Sequence, residues 1–200
     1  MSRSVLLNHE FLQSLRYELR IPEGDHLPRY VCPTCGTIHY QNPKVVVGSI
    51  PQWEDRILLC KRAIEPRHGL WTLPAGFMEN EETTIEGALR ETMEEAGARV
   101  EVIDLHTMFN LPHVNQVYVM FRANLLDLDF GPGPESLEVA LYDEKDIPWN
   151  EIAFPVIEQT MRLFFEDRRR GTFGIHTGDI IRHLLPNNER RYETRMLKRR

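Results

Sequence analysis

Residues 76–97 read GFMENEETTIEGALRETMEEAG, and this segment constrains the fold more than any other. From 83 to 96 the apolar or small residues Ile85, Ala88, Leu89, Thr92, Met93 and Ala96 recur at helical spacing. That spacing predicts an amphipathic helix with one face on a core. Gly97 predicts where it stops. Such a helix needs a partner surface, and β-branched runs supply it. Residues 44–50 (KVVVGSI) and 56–62 (RILLCKR) read as a hairpin across a turn at 52–55. Further strand-like runs follow at 100–106, 116–127 and 137–142, and 156–168 reads as a second amphipathic helix. Strands interleaved with helices predict an α/β (α+β) fold on a mixed sheet.

The same helix carries the chemistry. Glu91, Glu94 and Glu95 stand at i, i+3 and i+4, so their carboxylates share one helical face. Clustered carboxylates raise one another's pKa unless a cation compensates. Oxygen-rich clusters suit Mg²⁺ or Mn²⁺. Arg90 adjoins Glu91 and lies one turn before Glu94, placed to orient a ligand. Gly76 ends a strand-like run, where a bare backbone lets its carbonyl approach a metal. The competing reading is a solvated acidic face, which the added Gly, Glu and Arg spacing makes improbable.

These residues resemble a known motif. Gly76-x5-Glu82-x7-Arg90-Glu91-x-x-Glu94-Glu95-x-Gly97 is similar to the Nudix box, with Thr92 and Ala98 where a larger aliphatic residue is usual. The resemblance implies an α/β/α sandwich whose sheet lies between helices. It also implies hydrolysis of a nucleoside diphosphate linked to another moiety. By the resemblance, Glu94 and Glu95 bind divalent cations with the Gly76 carbonyl. Glu91 is a further ligand or helps activate water, and Glu82, Arg90 and Gly97 support the box. A later acidic residue is expected too; Glu135 and Glu138 are the candidates, and Glu138 is preferred for its phase with Ala140 and Tyr142.

Upstream, Cys32-Pro-Thr-Cys35-Gly36 has zinc-knuckle spacing, but a structural zinc site needs four ligands. The region resembles the zinc-ribbon leader of a Nudix subgroup, yet Glu10, Gln13 and Ser14 stand where the first cysteine pair would fall. That departure argues for a degenerate ribbon keeping one knuckle, with His9, Glu10, His26 and His39 as the substitute ligands available. The subgroup resemblance implies FAD, ADP-ribose and related dinucleotides as substrates, with AMP released. The stretch FNLPHVNQVY (109–118) departs from the element of NADH-cleaving relatives.

The predicted organisation is therefore a leader (1–43), a hydrolase domain (44–170) and a polar, basic-ended extension (171–200). Composition narrows partners and location. Net charge is −6, and the basic residues Arg190, Arg191, Arg195, Lys198, Arg199 and Arg200 against Glu193 make the last stretch locally +5. The acidic remainder is a poor general nucleic-acid binder. The tail reads as a solvated end, with RNA contact as its alternative. An odd set of three cysteines and no long apolar segment point to a reduced cytoplasmic protein without a membrane span. A small-molecule nucleotide is the expected partner. Leu163, Phe164 and Phe165 form either core or a homodimer interface. Trp71, Phe77, Tyr118 and Phe121 are candidates for ring stacking or for the core. Arg62 is read as a surface ion pair or a phosphate contact, and His106 and His113 as minor candidates for a general base. The rival functions are a nucleotide-sensing or nucleic-acid-associated binding module, or a hydrolase of NADH, nucleoside triphosphates or capped RNA.

Overall fold

A strand buried on both faces needs apolar side chains at consecutive positions. Ile57, Leu58, Leu59 and Cys60 provide them, each at most 1% exposed. In a computed structural model, which describes residues 17–186 and 188–197, this strand lies inside a nine-stranded mixed sheet. The chain divides into two units, Met1–Pro43 and Lys44–Arg200.

In the first unit, β1 (Glu18–Arg20), β2 (Arg29–Val31) and β3 (Ile38–His39) form a small antiparallel sheet. The second unit contains β4 (Lys44–Trp53), β5 (Arg56–Arg62), β6 (Trp71–Thr72), β7 (Ala75–Phe77), α1 (Thr84–Ala96), β8 (Val100–Leu111) and β9 (Gln116–Leu125). It continues with β10 (Ser136–Tyr142), α2 (Pro155–Arg170), β11 (His176–Leu184) and β12 (Arg190–Met196). The order across the sheet is β10-β5-β4-β9-β8-β11-β12, with β6 on β5 and β7 on β4. β4 runs parallel to β9 and β11 parallel to β8.

The two helices cover opposite sides. Val46, Ile57 and Leu59 share a core with Ile157, Met161 and Phe164 of α2. Val47 packs with Ala88 of α1, and Leu58 and Cys60 with Ala96. Adjacent residues of one strand thus serve different helices, giving the expected α/β/α sandwich. Leu163, Phe164 and Phe165 are core residues.

Two sequence expectations are corrected. The strand predicted at 100–106 runs on to Leu111, because register shifts between Val102/Asp104 and Leu105/Thr107 reset its alternation. The carboxy-terminal stretch is not a frayed end over its described part. Tyr192, Thr194 and Met196 alternate with charged residues, and the segment pairs as β12 with residues 178–184 of β11, adding two strands to the sheet. Lys198, Arg199 and Arg200 lie outside the described residues. Among the described residues, no helix is long and apolar enough to cross a membrane.

Candidate active site

The site starts from how α1 is capped. Thr83 Oγ1 accepts from the Glu86 amide at 3.2 Å, and the Glu86 carboxylate accepts from the Thr83 amide at 2.7 Å. This reciprocal box sets the helix start. Gly97 closes the other end with φ 58°. Between them Thr92, the unusual residue of the motif, is fully buried and shares a 2.6 Å hydroxyl contact with Ser49 of β4. A larger aliphatic residue would be replaced here by a polar pin between helix and sheet.

That pin holds the carboxylates over β7. A Cβ on Gly76 would sit 2.3 Å from the Glu91 carboxyl carbon, so only glycine lets the strand lie under that carboxylate. The Ala75 amide donates to Glu95 Oε2 at 3.1 Å. Arg90 then organises the cluster: it donates to Glu82 at 3.0 and 2.8 Å, to Glu91 at 2.6 Å, to Glu94 at 3.1 Å and to the Phe77 carbonyl at 3.1 Å. Its rigid fork satisfies several acceptors at once. The Glu82 carboxyl is held down to about 2 by Arg90 and by the Glu79 amide.

Glu91 and Glu95 are only 9% and 7% exposed. Burial, against the opposing pull of Arg90, raises the Glu91 pKa, with Glu94 and Glu135 adding to the rise. Burial also pushes Glu95 up to about 7, against the Ala75 amide. Carboxylates held this way gain from a cation that neutralises them.

The later acidic residue facing this cluster is Glu135, not Glu138. A loop docks on the end of α1 through Gly131 N to Ala96 O at 2.9 Å and Gly133 N to Glu95 O at 3.1 Å. A Cβ on Gly133 would overlap the Glu94 carbonyl at 1.7 Å, so glycine permits this approach. Glu135 follows and lines the cleft, whereas Glu138 is not in the lining and pairs with Lys61 at 3.8 Å. The phase with Ala140 and Tyr142 holds, but those residues pack on the α2 side of the sheet, away from the α1 carboxylates.

The cleft measures about 960 Å³. Glu91, Glu94, Glu95 and Gly76 line it, as do Phe77 and Tyr118 among the predicted aromatics. Trp71 and Phe121 are core. Arg62 also lines the cleft; it is not a surface ion pair, being 9% exposed with Nε donating to the Pro66 carbonyl at 3.0 Å. His113 is in the lining too. His106 lies elsewhere, fully buried beside Asp167 and His176, where His176 Nε2 meets Asp167 at 2.7 Å. Sequence reasoning read Arg190 only as part of a solvated basic tail and missed Arg182 and Tyr192; all three, from the last two strands, also line the cleft.

The leader does not gather a zinc site among the described residues. Gly36 N donates to the Cys32 carbonyl at 2.9 Å, forming the knuckle turn, and both thiols are free. No third ligand-type side chain joins Cys32 and Cys35 there, His26 and His39 included. His9 and Glu10 lie outside the described residues.

Comparison with known proteins agrees with the geometry. The NUDIX domain model matches residues 42–162, and the Nudix N-terminal model matches residues 15–41. A solved Nudix hydrolase from Nitrosomonas europaea is 62% identical with a TM-score of 0.80, over 82% of this chain and 93% of that one. An ADP-ribose pyrophosphatase of Methanocaldococcus jannaschii is 30% identical over 62% of this chain and 76% of its own length. An NAD-capped RNA hydrolase of Photobacterium profundum is 28% identical over 66% of this chain, which spans 52% of that relative. With its box residues brought together on one helix and one strand, the chain belongs to the Nudix hydrolase family.

Proposed function

We propose that this protein hydrolyses the diphosphate of a nucleoside diphosphate linked to another moiety. ADP-ribose or FAD is the favoured substrate, giving AMP and ribose 5-phosphate or FMN. The observation that carries the reading is the convergence of Glu91, Glu94, Glu95 and Glu135 on a cleft of about 960 Å³, near the upper end for small-molecule sites. The ADP-ribose pyrophosphatase relative supports the substrate class.

The donor set fits a hard divalent cation: the carboxylates of Glu91, Glu94, Glu95 and Glu135 line the cleft beside the Gly76 backbone. Glu94, Glu95 and the Gly76 carbonyl would hold Mg²⁺ or Mn²⁺, with Glu91 and Glu135 as further ligands. Bound there, the cation would supply charge neutralisation at the diphosphate and a water of lowered pKa. The chain's own residues do the rest. Arg90 fixes Glu91 and Glu94 in place, and the Ala75 amide fixes Glu95. Glu91 would be a further ligand or accept a proton from the attacking water.

A substrate panel tests this. FAD, ADP-ribose, NADH, a nucleoside triphosphate and NAD-capped RNA are incubated with Mg²⁺ while AMP release is followed. Turnover of ADP-ribose or FAD that collapses in Glu94→Gln is expected. Capped RNA turned over faster than either would favour the second reading, which rests on the NAD-capped RNA hydrolase relative. Turnover undiminished in Glu94→Gln would sink the catalytic assignment.

A further inference from the structure

Most described arginines are matched to carboxylates within 4 Å; Arg90, Arg122, Arg162 and Arg195 are examples. Those without such a partner are Arg62, Arg67, Arg168, Arg182, Arg190 and Arg191. All of these except Arg168 and Arg191 line the cleft. Arg62 donates to Pro66 and Arg168 to the Asp55 carbonyl.

The two faces of the β11–β12 hairpin sharpen the contrast. Directly paired residues in an antiparallel ladder share a face. One face presents Asp179 opposite Arg195, Ile181 opposite Glu193, and His183 opposite Arg191. Its charges are neutralised locally: Glu193 meets His183 at 2.8 Å and Arg195 at 2.8 Å. The other face presents Arg182 opposite Tyr192 and Leu184 opposite Arg190. Here the charges are all positive and carry no carboxylate. Tyr192 meets the His113 ring at 5.7 Å between centroids, so an aromatic pair borders the two arginines. Arg182 and Arg190 both help depress the His113 pKa, after burial, which places them around that ring. Two unneutralised guanidinium groups beside an aromatic ledge form a phosphate-binding arrangement.

The diphosphate itself is accounted for by the carboxylate end of the cleft and its cation. We infer that Arg182 and Arg190 bind a further phosphate group, carried by the substrate outside the scissile diphosphate, so that the preferred substrate is a phosphorylated dinucleotide. This rests on the hydrolase reading above for the position of the diphosphate. A small molecule is favoured over an RNA strand because the outer face of the same hairpin holds Glu193 and the whole chain is net −6.

Binding is measured calorimetrically with Ca²⁺ in place of Mg²⁺, so that an oxygen-binding cation still holds the diphosphate, using ADP-ribose, ADP-ribose 2′-phosphate and an NAD-capped oligoribonucleotide, with AMP release followed in the same solution to show that the ligands stay intact. The 2′-phosphate should bind about tenfold tighter than ADP-ribose, the gain expected of charge-assisted hydrogen bonds. In Arg182→Gln/Arg190→Gln that ratio should fall to about one. Arg191→Gln, on the outer face, should retain it and report that the hairpin remains folded. Equal affinity for the two small ligands, a ratio that survives the double variant, or a gain confined to the oligoribonucleotide would overturn the inference. Failure of the hydrolase reading shows separately, as absence of turnover with Mg²⁺ while the binding contrast persists.

Discussion

The two helices flank one sheet and are attached alike, yet they do different work. Each is pinned by one buried hydroxyl pair: Ser49 to Thr92 at 2.6 Å for α1, Thr107 to Thr160 at 3.1 Å for α2. Beyond that pin, α2 buries Ile157, Met161, Phe164 and Phe165. The buried positions of α1 are Gly87, Ala88, Glu91, Thr92, Glu95 and Ala96. Small residues let α1 sit close on β4 and β7, and its burial includes two carboxylates that resist desolvation. The α2 side of the sheet supplies apolar burial to offset that strain. A site helix and an anchoring helix are thus distinguished by what each hides from water.

Substitutions can break this division. Phe164→Ala should destabilise the fold by about 3–5 kcal/mol, since it removes a fully buried ring. Urea unfolding measures it, and a loss confined to activity would show that α2 is not the anchor. Glu95→Gln should lower kcat at least about 100-fold while leaving the melting temperature equal or higher, because a buried charge is removed. A matching loss of stability would erase the contrast between the helices. Gly76→Ala should lower kcat about 10–100-fold by forcing the Glu91 carboxylate off β7. Unchanged activity would show that this close packing has no bearing on chemistry. Thr92→Val and Thr107→Val should each cost about 1–2 kcal/mol, as each strands a buried hydroxyl partner. Widely different costs would show that the two pins are not equivalent.

A further expected effect is pH-dependent and lies under α2. His106, edge-on to Phe164, is held down to about 4 by burial, with His176 and Arg122 adding and Asp167 opposing. Its folded pKa is below the unfolded value, so the unfolded chain binds the extra proton first. Stability is full above about pH 6.5 and falls as the pH drops toward 4. Asp167, whose burial is outweighed only by the His176 bond, the Gly174 amide and the nearby histidines together, has a lowered pKa and loses stability in the same direction at still lower pH. Thermal melts from pH 7.5 to 4.5 should show the decline, and His106→Leu should flatten it.

Several features were legible along the chain because they depend on local spacing. The carboxylate face, Arg90 and the glycines at both ends of the box repeat within a few helical turns, and β4 and β5 advertise burial on both sides. Glu135 was harder to choose. Its distinction from Glu138 depends on Gly131 and Gly133 docking against the end of α1, a contact between segments that no periodicity records. The buried His106–Asp167–His176 group was hidden for the same reason, since it draws from β8, α2 and β11.

The amino-acid sequence by itself determined the mixed α/β class and the carboxylate helix, because those follow from hydrophobic period and from side-chain spacing on one element, and its resemblance to the Nudix box implied the family and the sandwich. Only the tertiary structure decided that the basic carboxy-terminal stretch is a wall of the cleft. Alternation along 190–196 marks a strand, but which face meets the site follows from β11 pairing with β8 and β12 with β11. That long-range register turns Arg182 and Arg190 toward the cleft and leaves Arg191 and Arg195 on the outside.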